Sequence, residues 1–199
     1  MVRFGFVVEG DCEEILVKSS HFRNFLAAQY HLEICKVVNT RGRGNLCPKN
    51  ISTSIANCRL ASPDKIVVLT DLECDPCITA AKKHIGEKGV DQIVVAKKAL
   101  EAWFLADTEA MRCWLKNDDF PGELMPEKTS DMPWEHLKEI AKHHHKDGRG
   151  PGTRKKRFAK AMINQFGFSI ERAANHPNCP SAKYFLEKLQ QLCFEQTNN

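Results

Sequence analysis

Apolar positions along this chain change rhythm about halfway along it. Up to Lys98, short and nearly continuous apolar runs alternate with stretches of helical spacing. The runs "RFGFVVE", "EICKVVN", "DKIVVLTD" and "DQIVVAK" are rich in aromatic and β-branched residues and predict four strands. Between them, Ile15, Leu16, Phe22, Phe25 and Leu26 predict one helix over residues 12–30. Residues 52–60 predict a second helix, and residues 76–89 a third closed by Gly89. A Gly-rich basic loop, "TRGRGNLCPKN", follows the second strand. Strands that are apolar throughout are buried on both faces. The expected class is therefore α/β, a mostly parallel sheet of about four strands covered by helices.

Beyond Lys98 the strand rhythm disappears. "LEAWFLADTEAMRCWL" predicts a helix with Trp103, Phe104, Met111 and Trp114 as its bulk. A Pro- and Asp-rich loop covers residues 117–133. Helices follow over residues 134–145, over residues 155–166 with Phe158, Met162 and Phe166 on one face, and over residues 179–194 with Ser181 as a cap. The expected organisation is an α/β domain over residues 1–116 and a helical extension over residues 117–199 packed on it.

Composition narrows the class. A chain of 199 residues with 42% hydrophobic residues supports one substantial core. No run approaches the ~18 apolar residues of a membrane span. The first apolar run is short and ends in a glutamate, unlike a secretory signal, so a cytoplasmic protein is expected. Its nine cysteines should then be reduced thiols, mostly small buried apolar groups. The net charge of +4 is uneven: residues 141–160 hold eight Lys or Arg against Asp147, a formal +7 that leaves the rest at −3. A mildly acidic body beside one basic segment suits a polyanionic partner.

The acids lie at strand ends. Glu9 closes the first strand and is followed by Asp11, Glu13 and Glu14; the third ends in "LTDLECD", with Asp71, Glu73 and Asp75; Glu101 follows the fourth. Ligands of open parallel sheets bind outside the carboxyl ends of the strands. Clustered carboxylates repel unless a cation, a proton or a basic group compensates them. Converging oxygen ligands suit Mg²⁺ or Mn²⁺, and such metals activate water and stabilise phosphoryl transition states. The plainer alternative is that Glu13 and Glu14 favour a helix N-terminus and the other acids are solvated.

"FVVEGDCEE" followed by "IVVLTDLECD" resembles the toprim domain, with a glutamate after the first strand and a DxD-type motif after the third. "LEAWFLAD" and "CPSAKYFLEKL" are similar to further marks of small bacterial toprim-like proteins, related to the toprim part of overcoming-lysogenization-defect nucleases. The resemblance touches both ends of the chain and is weak in its middle third. It implies Glu9 as metal ligand or general acid–base, Asp71 as metal ligand, and Glu101 as the late acid of the nuclease branch. Glu73 stands where the family has its second aspartate, and Asp75 could substitute for it. The implied activity is Mg²⁺- or Mn²⁺-dependent phosphodiester hydrolysis of DNA or RNA, set in defence against phage or mobile elements beside a partner ATPase. A non-catalytic nucleic-acid or partner-binding module and a phosphatase acting on a small nucleotide are the alternatives. Tyr30 and Tyr184 lie in helical segments, which argues against a topoisomerase.

Arg41 and Arg43 in "RGRGNL", together with Lys146, Arg149, Arg154, Lys155, Lys156 and Arg157, are the candidate nucleic-acid contacts. The alternative for the last four is the solvated face of the Phe158 helix. His143, His144 and His145 read as a surface cluster. "CDPC", Cys74 to Cys77, lacks the two further ligands that zinc requires, and its neighbouring acids disfavour a thiolate. Neither GxGxxG nor GK[ST] is present.

Overall fold

The computed structural model describes residues 1–199 except Cys74, Glu87, Asn198 and Asn199, and except the side chains of Gln196 and Thr197. Four parallel strands form the sheet: β1 (Val2–Val8), β2 (Leu32–Asn39), β3 (Lys65–Asp71) and β4 (Gln92–Ala96), in the spatial order β2-β1-β3-β4. The order matters for function. The chain steps from β1 outward to β2, crosses back to β3, then steps the other way to β4. The strand order therefore reverses between β1 and β3, the crevice where open parallel sheets bind ligands. Register places Val8 beside both Asn39 and Leu69, and Asp71 beside Ala96, so the carboxyl ends share one edge.

Both faces of the sheet are buried, which explains the unbroken apolar runs. On one face Val7, Ile66, Val68, Ile93 and Val95 meet α3 (Ile51–Arg59) and α4 (Ile78–Ile85). Gly5 lies on this face because α3 crosses close over it; a Cβ there would overlap the Cys58 sulfur. The other face carries Phe4, Phe6, Val8, Val67, Leu69 and Val94. It builds a larger core with α1 (Asp11–Lys18), α2 (Ser20–Tyr30), α5 (Glu101–Ala106), α6 (Thr108–Leu115), α7 (Pro133–His144), α8 (Lys155–Asn164), α9 (Ile170–Asn175) and α10 (Pro180–Thr197). Phe185 of α10 stacks on Trp103 at 5.4 Å and on Phe22 at 5.7 Å, and meets Phe6 edge-on. One continuous core thus joins β1 to the last helix.

Two expected helices are each two. Ser19 is extended (φ −63°, ψ 141°) and its hydroxyl accepts the Phe22 N–H at 3.3 Å, ending α1 and starting α2. Asp107 does the same for α6, accepting the Ala110 N–H at 3.2 Å. Gly86 rather than Gly89 ends α4, with φ 79° and its N–H on Lys82 O at 3.0 Å. Ser181 lies inside α10, where Pro180 takes the first position. Its hydroxyl instead accepts from the Trp103 indole at 2.8 Å and donates to Glu127 at 2.5 Å. The α9 helix, capped by Ser169, is an element the periodicity did not reveal.

Candidate functional site: four carboxylates and a lysine

Glu9 leaves β1 at the crevice, its N–H on Leu69 O at 3.1 Å. Its Oε2 accepts the Thr70 hydroxyl and the Asp71 N–H, the latter at 3.3 Å. Asp71, the last residue of β3, accepts the Leu100 N–H at 2.8 Å, which places it against Glu101, the first residue of α5. Glu13, in the first turn of α1, accepts the Gly10 N–H at 3.0 Å and so folds back toward Glu9. All four are nearly enclosed: Glu9 and Asp71 are 9% exposed, Glu13 4% and Glu101 2%.

Four buried carboxylates cannot all carry charge unaided. Burial, then the charges of Glu9 and Glu101, push Glu13 up to about 7 from the usual 4.5. Asp71 rises well above the ordinary aspartate range, through burial first and then Glu13, Glu101 and Glu9. Cys12, beside them on α1, is likewise driven up by burial and by Glu101, Glu13 and Asp71, so it is an inert thiol here. Among the described residues, the cation paired with one of these four acids is Lys155. Its ammonium lies 3.2 Å from Glu101 Oε1, and although burial works against its charge, Glu101 and Asp71 raise its pKa. Next to it Lys156 meets Asp11 at 3.0 Å, and Asn39 bridges Asp11 and Glu14 at 3.1 and 2.8 Å. The basic helix α8 is therefore seated against α1, at the acidic edge.

Other sequence-predicted residues fall elsewhere. Glu73 is exposed, at φ 43°, its N–H on Lys98 O. Asp75 forms an ion pair with Arg43, whose guanidinium also donates to the carbonyls of Asp71 and Leu72 at 3.3 and 3.2 Å. Arg43 thus clamps the segment after β3. Arg41 is exposed at φ 60° on the same loop. His145 accepts the Asp147 N–H, His144 meets Phe120 edge-on at 5.2 Å, and His143 is exposed. Cys74 lies outside the described residues, and Cys77 caps α4 through the Ala80 N–H at 3.4 Å. Cys12, Cys35, Cys47, Cys58, Cys77, Cys113 and Cys179 are free thiols.

Glu13 is the member that sequence reasoning left at a plain helix start. Four residues after Glu9 and beyond one glycine, it had the spacing to fold back. Thr70 was also missed, and Lys155 was read as a nucleic-acid contact or part of a solvated helix face rather than as a partner of the acids.

The donor set is hard oxygen and under-compensated, which fits a divalent cation. Among the described residues, however, no three His, Cys, Asp or Glu side chains already stand as a metal-holding group. No helix among them is long and apolar enough to cross a membrane. Compared with family models, curated proteins and solved structures, the chain matches none.

Proposed function

We propose that this protein is a metal-dependent phosphodiesterase of toprim type acting on nucleic acid. The observation that carries the proposal is four buried carboxylates gathered at the sheet's switch point, where among the described residues Lys155 alone pairs with one of them and the pKa values of Glu13 and Asp71 are raised. Carboxylates perturbed by burial and by one another in a crevice are a mark of functional sites. Glu9, Asp71 and Glu13 would hold Mg²⁺ or Mn²⁺, with Glu101 beside them. The metal, when bound, supplies an activated water and stabilises charge on a phosphoryl group.

The chain's own residues do the rest. Thr70 and the Asp71 N–H fix one oxygen of Glu9, so its carboxylate is preset. Without the metal, Glu13 keeps its proton up to about pH 7, and a bound cation would displace it. Lys155 and Lys156 hold positive charge at the rim, where a phosphate backbone would approach. The setting in phage defence and the partner ATPase rest on the sequence resemblance alone.

A second reading has its own observation. Lys155 stands where a cation is needed, and among the described residues no metal-holding group is preformed. On that reading the protein is a non-catalytic nucleic-acid-binding module.

The test is Mg²⁺- or Mn²⁺-dependent cleavage of plasmid DNA, structured RNA and mononucleotides, with wild type beside Glu9→Gln and Asp71→Asn. Cleavage by wild type that falls ~10²–10⁴-fold in both folded variants supports the enzyme. Binding without cleavage of any substrate supports the module.

A further inference from the structure

The first turn of α8 has a second side. Behind it lies a cavity of about 710 Å³, within the roughly 300–1,000 Å³ range of small-ligand sites. Arg149, Arg154, Arg157 and Lys116 line it over a floor that includes Trp114 and Phe158, and its lining contains no Asp or Glu. Lys116 is paired with Asp147 at 2.5 Å, and Arg149 also acts on that carboxylate. Among the described residues Arg154 and Arg157 have no carboxylate partner. Trp114 and Phe158 are 5% and 4% exposed, so their rings are spent on the core. Phe166 also lines the cavity and, packed against the edge of the core, is only half-buried, the most exposed of these three aromatic side chains.

Arg154 and Arg157 are three apart and share the cavity, while Lys155 and Lys156 turn toward Glu101 and Asp11. Within one helical turn, ~5.4 Å of rise, the same segment serves both the cavity and the carboxylate edge.

Resting on the nucleic-acid reading above, we propose that this cavity seats one unstacked nucleotide of a single strand. Arg154 and Arg157 hold its phosphate and Phe166 takes its base, while the adjoining backbone crosses Lys155 toward the carboxylates. The site then selects single strands, because a paired base would first have to leave its stack. A plain basic surface would do the reverse, since a duplex has the denser charge.

The experiment is fluorescence anisotropy of full-length protein with a labelled oligothymidylate and with a duplex of equal length, in EDTA, at several salt concentrations. The single strand should bind more tightly than the duplex. Arg154→Ala with Arg157→Ala should weaken it roughly tenfold or more and lower its salt slope by about 0.7, the loss of one single-strand phosphate contact. Phe166→Ala, its fold checked by thermal unfolding, should weaken single-strand binding about fivefold or more and leave duplex binding unchanged. Equal or tighter duplex binding by wild type, equal loss on both probes in Phe166→Ala, or no binding of either probe would overturn the proposal. Because no metal is present, failed cleavage alone counts against the enzyme reading, and lost single-strand preference alone counts against this cavity.

Discussion

Two buried aspartates in this molecule live under opposite conditions. Asp107, between α5 and α6, is fully enclosed and fully answered. Arg172 grips it with two bonds of 2.7 and 2.8 Å, and the N–H groups of Ser169 and Ala110 donate at 2.8 and 3.2 Å. Asp71 has the Leu100 N–H and three neighbouring carboxylates. The first is a structural knot that joins α5, α6 and α9. The second is a concentration of unanswered charge that packing alone does not explain. Most buried polar groups are answered as Asp107 is, so carboxylates left to repel one another are what makes the crevice a candidate ligand site.

The largest expected effect comes from breaking the satisfied aspartate. Asp107→Ala should cost ~2–4 kcal/mol, because it takes the acceptor from the buried Ser169 and Ala110 N–H groups and uncaps α6. Asp71→Asn should leave stability unchanged or higher at pH 8, since it removes repulsion. Urea unfolding of both variants checks the pair, and a matching loss in Asp71→Asn would erase the distinction.

Next comes pH. Glu13 binds its proton more tightly folded, at about 7, than unfolded, at 4.5. The unfolded chain therefore sheds that proton first, and stability should fall as pH rises from 4.5 through 7, by ~3 kcal/mol at most from this group. Asp71, also raised, adds to the fall with the same sign. Urea midpoints of wild type against pH should show the decline, and Glu13→Gln should flatten it. A wild-type profile that rises over this window would contradict the cluster's electrostatics.

Lys155→Met should have a smaller effect. The lysine side chain is 46% exposed, so its pair with Glu101 contributes only ~1 kcal/mol or less. Its removal should nonetheless tighten Mn²⁺ binding, because Lys155 and the metal offset the same charge. Lys156→Ala is the least of the series, with a change below ~0.5 kcal/mol expected for an exposed pair. Thermal unfolding with and without Mn²⁺ measures both, and equal behaviour of the two lysines would show that Lys155 has no special place.

Much of this could be read along the chain. The four strands and the acids Glu9 and Asp71 follow from apolar runs ending in carboxylates, because register forces parallel strand ends to one edge. The helix breaks could not be read the same way. Apolar spacing continues across Ser19 and Asp107, and only the caps decide there. Glu13 was hidden because an acid in a first helical turn already has an ordinary reason to be there. Lys155 was legible as charge but not as a partner, since its approach to Glu101 depends on α8 folding back onto α1, some 140 residues away in sequence. Glu73 had the right spacing but the wrong backbone, as the turn at φ 43° leaves its side chain in solvent.

The most direct test of the central claim is calorimetric titration of Mn²⁺ into wild type and Asp71→Asn at pH 7.5. Saturable binding by wild type, lost in the folded variant, is the predicted result. No binding by wild type, or equal binding by the variant, would contradict a metal site at the β1–β3 crevice.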